Sequence, residues 1–126
     1  MTQGLVSLVV NGSVRYKIIT GSDGYNAKSV AAKIRNHIIE VGEIPSISTL
    51  FNFVEECDFG GRERAIILDV DPSRMRKAII HPGDSEFDDE TRQRYLDTAY
   101  VAQFNPRWKY GTADYVEVVD VLVVKQ

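Results

Sequence analysis

Three features of the chain predict an α+β fold: two short-turn hairpins, two amphipathic helical patterns between them, and end segments that are apolar on both alternating faces. Leu5-Val6-Ser7-Leu8-Val9-Val10 and Val116-Glu117-Val118-Val119-Asp120-Val121-Leu122-Val123-Val124 carry apolar side chains at odd and even positions alike, the pattern of strands covered on both sides. The expected architecture is a mainly antiparallel sheet, or pair of sheets, covered on both faces, in the element order ββααββαββ. Helices supply both covers, or a second sheet supplies one.

The first hairpin runs from Leu5 to Val10, turns at Asn11-Gly12 and returns from Val14 to Thr20. Asn-Gly is the pair best suited to a type I′ turn, because both residues accept positive φ at little cost. Arg15 and Lys17 alternate with Val14, Tyr16 and Ile18, which suggests a strand nearer an edge or a solvated face. After Gly21-Ser22-Asp23-Gly24, residues Ala27, Val30, Ala31, Ile34, Ile38 and Val41 recur at helical spacing, with Asn26 at the N-cap position and Gly42 beyond the end. A second helical pattern, Ile47, Leu50, Phe51 and Val54, follows Ile44-Pro45-Ser46 and stops before Gly60-Gly61.

Arg64 to Val70 reads as a strand, Asp71-Pro72-Ser73-Arg74 as a turn with proline at its second position, and Arg76 to His81 as the antiparallel return, which sets Asp69 opposite Lys77. Asp88 is placed to cap a short helix reaching about Thr98, and the acidic run Asp84 to Glu90 is its solvated start. Tyr100 to Phe104 and Tyr115 to Val124 complete the chain as strands.

With 126 residues the chain is expected to form one domain, 1–126, with a core that needs no staples. Fifteen basic against eighteen acidic residues give a net charge of −3, which removes the long-range attraction most nucleic-acid binders depend on. Cys57 is the single cysteine and cannot close an intramolecular disulfide. No basic-then-apolar leader opens the chain, and no apolar run approaches the roughly 18 residues of a membrane span. A cytoplasmic protein is expected, without membrane contact, metal or cofactor.

The turn at residues 21–24 raises the possibility of a phosphate or carbonyl cradle at a helix N-terminus, with Asp23, Tyr25 and Asn26 lining it. Neither the G-x-G-x-x-G nor the Walker A spacing is present, and Asp23 sets a negative charge where an anion would sit. The plainer expectation is that Asp23 and Asn26 occupy the orphan N–H groups themselves. Asp69 and Asp71 share a strand face that could hold Mg²⁺, although strand pairing and turn formation account for both. Cys57 with His37 or His81 could form a nucleophilic pair, but the role of a small buried apolar residue near the end of the second helix explains Cys57 more simply. Phe104-Asn105-Pro106-Arg107-Trp108-Lys109-Tyr110 interleaves cations with aromatics, the composition of a protein interface, of a loop pinned by its own cation–π contacts, or of a single-strand stacking platform.

Two resemblances follow. The order hairpin, two helices, hairpin over roughly the first 80 residues resembles the opening of the four-layer αββα fold of N-terminal-nucleophile hydrolases. That resemblance implies Thr2 as a nucleophile whose own amine is the base, with Lys17 and Asp23 as candidates to complete the site. It is topological and carries no specific motif, and the sequence includes Met1 ahead of Thr2. Gly4-Leu5, Asn11-Gly12, Asp23-Gly24-Tyr25 and the Tyr115-Val116-Glu117-Val118-Val119 strand are similar to small uncharacterised phage and bacterial proteins that begin Met-Gly-Thr-Arg. This chain departs from their pattern at Thr2-Gln3 and has Asn26 where they have proline. That group carries no established activity, so no function transfers.

Three functional readings result, in this order: an interaction or self-associating module, expected as a homodimer with Arg107, Trp108 and Tyr110 at the contact; a diverged hydrolase using Thr2; and a nucleotide or small-ligand binder at residues 21–26.

Overall fold

The computed structural model describes residues 2–60, 65–69, 77–80, 90 and 113–122. The first hairpin forms as expected, with β1 at Gly4–Val10 and β2 at Ser13–Thr20. Asn11 and Gly12 have φ of 52° and 86°, the two positive values that a type I′ turn requires. The ladder slips by one residue between Leu8 and Val9, so that Leu8 pairs with Tyr16 but Val9 with Val14. Arg15 is the extra residue of this bulge, and its guanidinium lies over the Tyr16 ring, 4.2 Å from the centroid.

A single 3-10 turn, Gly24–Asn26, leads into helix α1, Ala27–Val41. Gly42, at φ 79°, ends it by donating its N–H to the Ile38 carbonyl. Helix α2 spans Ile47–Glu56, and Ser46 caps it by accepting the Thr49 N–H. The apolar stripes of both helices pack on one sheet face, where Val30, Ala31, Ile34, Leu50 and Val54 join Val6, Leu8, Tyr16, Ile18, Ile67 and Val119 in one core. Lys33 Nζ bridges to Glu56 Oε2 at 3.1 Å, and His37 meets Phe53 edge-on at 5.9 Å. That contact gives His37 a packing role between the helices.

The second hairpin is β3, Ile66–Asp69, with β4, Lys77–Ile80, and its register sets Asp69 opposite Lys77 as the sequence suggested. The last described strand, β5, is Tyr115–Val121. Among the described residues the five strands form one sheet in the order β4-β3-β2-β1-β5. The fold is α+β, but its sheet is mixed: β1 pairs with β5 in parallel, Gly4 opposite Tyr115 and Val10 opposite Val121. The described elements run ββααββ and then β5, which does not by itself establish the order ββααββαββ. The short helix expected after Asp88, apart from Glu90, and the strand expected from Tyr100 to Phe104 lie outside the described residues.

One expectation reverses. The two doubly apolar segments promised two strands buried on both sides, with the Arg15/Lys17 strand nearer the edge. Among the described residues β1 and β2 are both internal strands, β1 is buried along its whole length, and β5 lies at an end of the strand order with most of its side chains partly exposed. Arg15 and Lys17 are buried. Apolar alternation reports that both faces of a strand are covered, but not whether a neighbour flanks each edge. The face away from α1 and α2 is also buried, since Leu5, Ser7, Lys17 and Leu68 are fully enclosed.

Candidate functional site

The turn after β2 is held against the start of β1 by backbone contacts. Gly24 donates its N–H to the Thr2 carbonyl at 2.9 Å. A Cβ on Gly24 would overlap the backbone of Gln3 and Gly4, and one on Gly4 would lie 2.6 Å from the Gly24 Cα. Glycine at 24 is therefore a close-approach requirement, with two chain segments in direct backbone contact. On the other side, the Asp114 and Tyr115 N–H groups reach the Gln3 carbonyl at 3.0 and 3.3 Å, and the Gln3 N–H reaches Asp114 Oδ2 at 3.1 Å. Thr2, the turn and the start of β5 thus converge at one end of the sheet.

The expected caps are not made. Asp23 sits in the left-handed region at φ 58°, with no side-chain capping bond, and its Oδ1 accepts from the exposed Tyr25 hydroxyl at 3.5 Å. Asn26 occupies the N-cap position of α1, but its side-chain amide donates to the Asp58 carbonyl at 3.0 Å. The 3-10 turn makes capping unnecessary for the first donors: Asn26 N–H bonds the Asp23 carbonyl, and Ala27 N–H bonds that of Gly24. Asn26 therefore stitches the turn to the 57–60 loop, while Asp23 and Tyr25 bond one another at the surface. Among the described residues there is no group of three metal-ligating side chains.

Thr2 and Asp23 share this end through the Thr2–Gly24 bond. Lys17 does not: it pairs with Ser7, five residues along β1 from Thr2, a separation on the order of 15 Å at strand rise. The Lys17 side chain is fully buried, and loss of hydration pulls its amine down from 10.5 to about 8. Cys57 is half-buried against the core at the end of α2, and burial is the main force raising its thiol above the usual range. Arg107, Trp108, Tyr110, Asp71 and His81 lie outside the described residues.

The feature that sequence reasoning missed is the outer edge of β5. Tyr115 turns its N–H, and Val121 its carbonyl, toward the β1 side, where they meet Gln3 and Asn11. By the two-residue period of a strand, Val116, Val118 and Asp120 turn their backbone groups outward. Among the described residues β5 pairs with β1 alone. One outward carbonyl, that of Val118, accepts a 3.0 Å bond from Arg35 Nη2, which reaches over from α1. Ile39, one helical turn beyond Arg35, is 79% exposed, and Leu122, just past the strand, is 86% exposed. A row of main-chain donors and acceptors is thus flanked by apolar side chains that gain nothing from water. A signal was present in the sequence, in the absence of lysine and proline from 115–122, but it has meaning only for a strand known to lie at an edge.

No family model, curated protein or solved structure matches this chain.

Proposed function

We propose that this protein is an interaction module that engages a protein chain by strand addition at the β5 edge. The observation that carries the reading is the outward row of Val116, Val118 and Asp120 beside exposed Ile39 and Leu122. In this mode main-chain bonds supply affinity and alternate side chains supply selectivity. Arg35 fits the reading as a gate: its bond to the Val118 carbonyl satisfies the edge before docking, and a carbonyl oxygen has a second lone pair for an incoming N–H.

The test uses a synthetic peptide of the β5 sequence, Tyr115 to Val121, with a solubilising lysine at each end. Hydrogen exchange read by NMR is expected to slow at the amides of Val116, Val118 and Asp120 on peptide addition. Val118→Pro removes an outward N–H that the described fold does not use, a substitution edge strands tolerate, and is expected to abolish the protection while leaving the far-UV circular dichroism intact. Absence of binding at millimolar peptide, or binding that leaves those three amides unprotected, overturns the reading.

A further inference from the structure

We infer that the chain which docks on β5 is a second copy of the same protein, added antiparallel about a two-fold axis through Val118. The inference rests on the edge reading above and names its partner. A two-fold contact must be self-complementary, because each residue of the patch meets the patch again. The β5 edge passes that requirement residue by residue. With Val118 on the axis, Glu117 faces Val119 of the partner subunit, Asp120 faces Val116 of the partner subunit, and Tyr115 faces Val121 of the partner subunit. Neither acid meets its own kind across the ladder, where like charges would be destabilising.

Charge complementarity then favours the copy over an arbitrary strand. Glu117 pairs with Val6 and lies two residues from core Val119, so its side chain is on the face that carries the helices. It is half-buried and makes no ion pair among the described residues. Arg35 comes from α1 on that same face and ends at the Val118 carbonyl. A two-fold axis perpendicular to the sheet keeps both sets of helices on one face and brings each Arg35 beside the partner subunit's Glu117. The result is two Arg–Glu contacts, with opposite charges alternating around the axis. The two α1 helices run antiparallel past one another. The ten described strands of the two copies form one continuous sheet.

Sedimentation equilibrium of the full chain tests this, with wild type, Val118→Pro, Arg35→Glu, Glu117→Arg and the double variant Arg35→Glu/Glu117→Arg. Wild type is expected to dimerise and Val118→Pro to be monomeric with unchanged circular dichroism. Each single reversal turns two attractions into two repulsions and is expected to weaken the dimer about tenfold or more, while the double reversal restores it to within about threefold. A wild-type chain that is monomeric at several hundred micromolar overturns the second-copy inference, and the peptide experiment then shows separately whether the edge reading stands. A dimer that persists in Val118→Pro overturns both. A dimer lost in Val118→Pro but equally strong in both single reversals keeps the edge and overturns the two-fold register.

Discussion

The Gly21-Ser22-Asp23-Gly24 turn offers a sharp quantitative test, since its two glycines look equivalent in sequence and are not equivalent in space. A Cβ at Gly21 meets nothing within 4 Å, and its backbone is outside the left-handed region. Gly21→Ala should therefore be neutral, or stabilising by about 0.4–1 kcal/mol through the unfolded chain. A Cβ at Gly24 overlaps the Gln3 and Gly4 main chain, which cannot rotate aside as a side chain would. Overpacking of this kind costs about 1–3 kcal/mol. Prising the turn away also breaks the 2.9 Å bond from Gly24 to the Thr2 carbonyl, worth about 0.5–1.5 kcal/mol. Gly24→Ala is expected to lose about 2–4 kcal/mol in total. With a urea m-value of about 2 kcal/mol/M for a domain of this size, the unfolding midpoint falls by about 1–2 M. Urea titration followed by circular dichroism reads both variants on one scale. If Gly24→Ala unfolds within about 0.3 M of wild type, or if the two variants shift together, the close backbone approach is not a structural determinant and the argument for the turn fails.

Three further outcomes are expected. Lys17 releases its proton at about 8 when folded, against 10.5 when unfolded; over that window the unfolded chain holds the extra proton, so the Lys17 contribution makes stability rise with pH, by roughly 3 kcal/mol in all, and stay flat below it. Lys17→Met should lack this rise in denaturation series from pH 7 to 10, and a variant with the wild-type slope would show that the buried amine is not its source. Ser46→Ala removes the cap on the Thr49 N–H and should cost about 1 kcal/mol in chemical denaturation, where no loss would mean that water replaces the cap without penalty. Asp23→Gly relieves a left-handed residue that makes no capping bond and should be neutral or stabilising by up to about 1 kcal/mol; a clear destabilisation in the same assay would restore Asp23 to a capping role.

What the sequence by itself determined is local. The Asn11-Gly12 turn, the helix from Ala27 to Val41 ending at Gly42 and the register of Asp69 against Lys77 all emerged where they were read, because positive φ, a 3.6-residue period and short-range pairing are settled by neighbours in the chain. The tertiary structure alone decided which strand became internal and which, among the described residues, lies at an end of the sheet. Leu5–Val10 and Val116–Val121 have the same kind of apolar pattern, yet one is enclosed and the other partly exposed, because a strand's place in a sheet depends on partners more than a hundred residues away in the case of β1 and β5. The same non-local pairing buried Lys17, which alternation had suggested was solvated, and aligned α1 with β5 so that Arg35 reaches the Val118 carbonyl. The candidate site was illegible for that reason. It consists of main-chain groups left outward by a parallel pairing, and main-chain groups are the same in every residue until topology decides which of them find a partner.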